Sequence, residues 1–136
     1  MSELCLTLGV DHVGLTVSDL AATRDFFVEC LGWEVVGEKS DYPAVFVSDG
    51  ISRLTLWQVH DTTDCVAFDR RQNVGLHHLA LKVANRAALD AVFEQVKDWP
   101  GVEIEFAPET SGGGPKFHTM IREPSGSRIE FSWDPR

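Results

Sequence analysis

His12, His78 and Glu130 are the residues of this chain whose types and setting best suit chemistry. His12 opens the stretch His12-Val13-Gly14-Leu15-Thr16-Val17, and His78 opens His78-Leu79-Ala80-Leu81-Lys82-Val83, 66 positions later. Glu130 stands between Ile129 and Phe131, in a run where alternation puts Ile129, Phe131 and Trp133 on one face and Arg128, Glu130 and Ser132 on the other. An ionised carboxylate in such a strand needs a cation or strong donors. Two imidazoles and one carboxylate form a donor set for a divalent metal ion, and three protein ligands leave positions free for substrate, water or oxygen. Each residue also has a plainer explanation. A strand histidine can simply be packed, and Arg128 or Arg53 offers Glu130 an ionic partner. The equivalence of the two histidines favours the metal reading.

That equivalence comes from a duplication. At the same offset Phe26 falls on Val92, Phe27 on Phe93, Cys30 on Val96 and Trp33 on Trp99. A fixed repeat period of this kind marks a repeated structural unit. Two copies packed about a pseudo-twofold axis are expected to bring His12 and His78 toward each other.

The elements that must position these residues follow from the pattern. Residues 1–9 form an apolar lead-in. The first unit, residues 10–59, is predicted to run as a strand over Val10–Val17, an N-cap at Ser18-Asp19, and a helix whose apolar side is Leu20, Phe26, Phe27 and Leu31 and which Gly32 stops. Three strands complete it, about Trp33–Glu38, Ala44–Ser48 and Ser52–Val59, separated by Asp41-Tyr42-Pro43 and by the hairpin signal Asp49-Gly50. A polar linker, residues 60–73, leads to the second unit, residues 74–134. There a strand over Gly75–Val83, an N-cap at Asn85, a helix to about Lys97 and strands around Val102–Phe106, Phe117–Arg122 and Ser127–Trp133 repeat the order. The fold class is α+β, two tandem βαβββ modules in a single domain. Ala107–Lys116, with its three consecutive glycines, reads as a loose loop. Alternation puts His77 on the face opposite His78, which makes it structural.

Composition narrows the function. The chain has 136 residues, 43% hydrophobic and 24% charged, which suits one soluble domain. A formal net charge of −9, with no clustered Lys and Arg, argues against nucleic acid as a partner. No run is long enough to cross a membrane and no basic-then-apolar leader precedes Asp11, so the expectation is a cytoplasmic protein. Cys5, Cys30 and Cys65, odd in number and without a C-x-x-C pair, read as reduced thiols.

His12-Val-Gly-Leu-Thr-Val followed by Asp19-Leu, the helix ending Cys30-Leu-Gly-Trp, the later His78-Leu-Ala-Leu-Lys-Val and the closing Glu123-Pro-Ser-Gly-Ser-Arg-Ile-Glu130-Phe together resemble the vicinal oxygen chelate superfamily. Its families include glyoxalase I, extradiol dioxygenases, fosfomycin-resistance enzymes and bleomycin-resistance proteins. The resemblance covers nearly the whole chain. It implies paired βαβββ modules curved into an incomplete barrel around a divalent metal, often in a homodimer with modules exchanged between chains.

Carried over residue by residue, the resemblance places metal ligands at His12, His78 and Glu130, with Glu130 also the base. The fourth ligand of the glyoxalase type, a carboxylate near the end of the first module, falls on Thr55, where this chain departs from the pattern. Three ligands are similar to the set in the dioxygenases and the fosfomycin-resistance enzymes, so Fe(II) or Mn(II) is expected before Zn or Ni. The resemblance implies dioxygenase-like chemistry on a small vicinal-diol-type substrate, with a glyoxalase-like lyase as the alternative and a metal-free, bleomycin-resistance-type binder as a third reading. Thr55 and Trp57, on one strand face, and Thr16 and Lys82, four residues past the two histidines, are expected to line the substrate pocket. Tyr42 and His118 are weaker acid or base candidates, and His60 reads as linker surface.

Overall fold

The computed structural model describes residues 4–136, so the first three residues of the apolar lead-in lie outside the described residues. β1 (Val13–Val17) leads into α1 (Leu20–Asp25), which continues as a π-helical turn over Phe26–Cys30. β2 (Glu34–Lys39), β3 (Ala44–Ser48) and β4 (Arg53–Gln58) complete the first unit. The second unit holds β5 (Leu79–Lys82), α2 (Arg86–Val96), β6 (Glu103–Thr110), β7 (Phe117–Arg122) and β8 (Arg128–Trp133).

Local chemistry sets the helix ends. Asp19 accepts the Ala22 N–H at 3.0 Å, and Asn85 accepts the Ala88 N–H at 2.8 Å, so the same three-residue cap opens both helices. The π-turn of the first helix ends at Gly32, whose φ of 80° suits glycine. There Trp33 N–H donates to Phe27 O at 2.9 Å. The turn buries both phenylalanines completely, and the indole of Trp33 meets Phe27 edge-on at 5.2 Å.

Two four-stranded sheets result, β1-β4-β3-β2 and β5-β8-β7-β6. In each, the first strand runs parallel to the last strand of its unit, and the other pairs are antiparallel. The two sheets share one register. Gly14, two residues past His12, is opposite Thr55, and Ala80, two past His78, is opposite Glu130. Thr55 and Glu130 are thus equivalent positions on interior strands. This is the double βαβββ arrangement that the repeat predicts.

One apolar core joins the two units, drawing Leu15, Val17, Phe26 and Leu56 from the first and Leu89, Val96, Ile129 and Phe131 from the second. The junction is also polar. Glu123, 1% exposed, accepts the Thr23 hydroxyl at 2.6 Å, and Cys30 Sγ–H donates to Gln95 O at 3.6 Å.

Several boundaries differ from the sequence expectation. β1 begins at Val13 and β5 at Leu79, so His12 and both His77 and His78 stand just before their strands. Val13 and Leu79 pair with Leu54 and Ile129, each the second residue of β4 and β8, and the parallel ladders end there, with the first residues of β4 and β8 paired only to β3 and β7. β6 runs on to Thr110 because Glu109 and Thr110 pair with His118 and Phe117, which shortens the loop expected over Ala107–Lys116. Among the described residues, no helix is long and apolar enough to cross a membrane.

Candidate metal centre

Glu130 is the centre of the polar cluster. It is 6% exposed on the interior strand β8, with Ala80 beside it on β5 and Met120 beside it on β7. Its Oε1 lies 3.5 Å from His78 Nε2 and 3.6 Å from His118 Nδ1, and its Oε2 lies 3.8 Å from Lys116 Nζ. His118 pairs with Ser132 across β7 and β8 and rests on the Phe106 ring at 4.7 Å. Paired residues share a sheet face, so His118, Ser132, Lys82 and Glu130 share one.

His12 stands apart from this cluster. Its Nδ1 is 2.7 Å from Asp11 Oδ2, and that hydrogen bond holds the exposed Asp11 carboxyl below its ordinary value. No ion pair among the described residues joins His12 to Glu130, and no three His, Cys, Asp or Glu side chains among them are grouped to hold a metal ion. His12 is thus not grouped with His78 and Glu130 as a metal-binding set among the described residues. The units are joined by hydrogen bonds between the start of α1 and the turn at Glu123.

The other expected pocket residues divide between the sheets. Thr55 is nearly buried, and its Oγ1 accepts the Trp57 indole N–H at 3.0 Å. A Cβ on Gly14 would stand 3.1 Å from that hydroxyl, so glycine there leaves Thr55 room. Trp57 also meets Tyr42 edge-on at 4.9 Å and Lys39 Nζ at 5.7 Å. Thr16 and His78 line one cleft of about 370 Å³ between β1 and β5, together with Phe68 and Asn73 of the linker. Lys82 is exposed opposite Ser132.

A second cluster adjoins the first. Arg128, 7% exposed, makes a two-bond fork with Glu105, Nε to Oε2 at 2.7 Å and Nη2 to Oε1 at 3.0 Å. The guanidinium holds the Glu105 carboxyl below its usual range. Burial, and then the charge of Arg128, hold the His77 imidazole below its ordinary value. Arg128 is thus committed to Glu105 and does not pair with Glu130.

Sequence reasoning undervalued His118 and passed over Lys116. The signal was the Pro124-Ser125-Gly126 turn, which sets the β7–β8 register and with it the face that His118 shares with Glu130.

The donors near Glu130 suit an ion in part. Two nitrogen or oxygen ligands on one metal, each bonded at about 2.1 Å, stand about 3–3.5 Å apart. The His78 to Glu130 separation of 3.5 Å matches this, and it is longer than the 2.6 to 3.1 Å hydrogen bonds at Glu123. Of the expected set, His78 and Glu130 stand at such a separation, and His12 is not grouped with them among the described residues.

The sequence model of the Glyoxalase/Bleomycin resistance protein/Dioxygenase superfamily matches residues 9–131. The chain belongs to this superfamily. It is 28% identical over 127 residues to a 2-epi-5-epi-valiolone epimerase from Actinomyces sp, covering 79% of this chain and 68% of that protein. A solved glyoxalase family protein from Enterococcus faecalis is similar at a TM-score of 0.74 and 25% identity, over 95% of this chain and all of that one. A lactoylglutathione lyase from Agrobacterium tumefaciens superposes at a TM-score of 0.70 and 21% identity, over 94% of this chain and 95% of that one, a likeness of fold.

Proposed function

We propose that the chain is a divalent-metal-dependent enzyme that moves a proton next to a carbonyl in a small, vicinally oxygenated substrate, a lyase-, isomerase- or epimerase-type reaction. The observation that carries this reading is the Glu130 carboxylate, almost buried, with two imidazoles facing the same oxygen at 3.5 and 3.6 Å. His78 and Glu130 would hold the ion. A divalent ion there supplies Lewis acidity toward a pair of adjacent substrate oxygens. Glu130 accepts the proton from the carbon beside the carbonyl, and His118 takes it from or returns it to Oε1. Lys116 places a positive charge on the other carboxylate oxygen. Lys82 and Thr16 contact substrate oxygens at the rim, and Trp57 and Thr55 line the opposite sheet. The likeness to an epimerase supports this class of reaction.

His12 completes the ligand set from a second copy of the chain, in a homodimer. Exposed apolar residues flank both halves of the divided site. Leu6, Leu8 and Val10 precede His12, and Val74 and Leu76 precede His78. A surface of this kind beside a site suits burial against another chain.

Thr55 favours a second reading. Without a carboxylate at that position the site has three protein ligands, which suits dioxygenase-like chemistry with Fe(II).

Elemental analysis of protein loaded separately with Fe(II), Mn(II), Zn(II) and Ni(II), beside His12→Ala, His78→Ala and Glu130→Ala, tests the metal site. Near-stoichiometric metal in the parent and loss in each folded variant is expected. A parent that binds no metal more tightly than its variants overturns the reading and turns attention to a sequestering protein. Oxygen uptake with a catechol, against deuterium exchange beside the carbonyl of a hydroxyketone, separates the two reactions.

A further inference from the structure

His77 and His78 are consecutive, yet their rings meet, with centroids 5.0 Å apart and planes crossing at 73°. Their Nδ1 atoms are 2.8 Å apart, so one nitrogen donates a proton and the other accepts it. Arg128 decides which. A guanidinium has donors only, and Arg128 Nη1 lies 3.0 Å from the same His77 Nδ1 and 3.2 Å from the His77 carbonyl oxygen. His77 Nδ1 is therefore the acceptor and His78 Nδ1 the donor. That leaves His78 Nε2 as the bare nitrogen, the atom 3.5 Å from Glu130 Oε1.

We propose that Glu105, Arg128 and His77 form a hydrogen-bonded relay that holds His78 in the Nδ1–H tautomer, with its Nε2 lone pair turned toward Glu130. The relay is anchored at its far end, where the Glu105 fork fixes Arg128 in one orientation. Histidines that bind metals are commonly oriented by a carboxylate or carbonyl on the other ring nitrogen. Here the neighbouring histidine does that work, which makes His77 a positioning residue. A lone pair and a carboxylate facing each other repel until a cation comes between them, so the relay keeps a donor pair prepared for one. The tautomer stands on the hydrogen bonds alone, and its consequence for an ion rests on the metal reading proposed above.

The test is nitrogen NMR of the metal-free, histidine-labelled protein at about pH 8, where imidazoles are neutral. Parent protein is expected to show His78 protonated at Nδ1 and bare at Nε2. His77→Asn, whose side-chain oxygen can accept in place of Nδ1, keeps that state, and His77→Phe loses it. In Mn(II) titrations of the same proteins, His77→Phe binds about 10–100-fold more weakly than the parent, while His77→Asn stays near it. A parent His78 protonated at Nε2, or a Phe variant that keeps the Nδ1–H tautomer, overturns the relay. If the parent shows the expected tautomer and binds no Mn(II), the relay stands and the metal reading fails. If Mn(II) binds while His78 carries its proton on Nε2, the relay fails and the metal reading stands.

Discussion

Thr23 donates its hydroxyl to Glu123 at 2.6 Å, across a hundred residues of sequence, and so ties α1 of the first unit to the turn that opens β8 in the second. The same carboxylate accepts the backbone N–H groups of Ser125 at 3.1 Å and Ser127 at 3.0 Å. Hydrogen bonds to a buried charge are stronger than neutral ones, and removing the acceptor leaves three donors without it. Glu123→Ala is expected to cost about 3 kcal/mol of stability, and Glu123→Gln less, as read from urea unfolding midpoints. A loss below about 1 kcal/mol for the alanine variant would mean that the apolar core alone joins the units.

Acid weakens the fold through Glu105. The Arg128 fork lowers its folded pKa below the ordinary 4.5. A depressed carboxylate contributes stability that is fully present above its unfolded value and is lost as pH falls through its folded value. Unfolding free energy therefore declines below about pH 4.5 in the parent, and declines less steeply in Glu105→Gln. Urea midpoints measured across that window check this. Parallel curves for the two proteins would show that Glu105 has no part in acid stability.

The three cysteines divide by burial. Burial pushes the Cys30 thiol up to about 11, whereas backbone and side-chain hydrogen bonds with Thr7 lower that of the exposed Cys5. Cys65 is exposed as well. At neutral pH Cys30 carries only about one part in ten thousand of its thiol as thiolate, so iodoacetamide is expected to label Cys5 and Cys65 and spare Cys30 until urea unfolds the chain. Mass spectrometry of labelled peptides reads this directly. Early labelling of Cys30 in native protein would show that the π-turn opens.

The repeat made the architecture legible. The offset of 66 put both first strands and both helices in phase, while the equivalence of Thr55 and Glu130, 75 positions apart, comes from laying Ser52–Leu56 on Ser127–Phe131, and the paired registers of β1 on β4 and β5 on β8 agree with it. The way the units dock was not legible. It draws on Thr23, Glu123, Cys30 and Gln95, residues with no shared period. His77 misled for a related reason. Alternation assumes a strand, and β5 starts two residues after His77, at Leu79, so the ring is free to turn onto His78. His118 was legible only through the register of β7 on β8.

The segment before His12 carries the oligomer prediction. Leu6 and Leu8 are 95% and 106% exposed, and Val10 is 83% exposed, a stretch of apolar surface that water disfavours. Burying a leucine contributes about 1.5–3 kcal/mol and a symmetric dimer carries each of the two twice, so replacing both leucines with aspartate is expected to weaken a dimer by roughly ten-thousandfold or more. Light scattering coupled to size-exclusion chromatography should give a dimer for the parent and a monomer for Leu6→Asp/Leu8→Asp. The ligand set makes the same point independently. His12→Ala and Glu130→Ala each damage the site, but a mixed dimer of the two holds one intact set if His12 and Glu130 come from different chains, and none if they come from the same chain. Mixing the two variants should therefore restore about a quarter of the parent's Mn(II) capacity if chains exchange at random, since half of the dimers are mixed and each has one of two sites. A parent that is monomeric at every concentration, or a mixture that binds no more Mn(II) than its components, would place all ligands in one chain and require His12 to move toward Glu130.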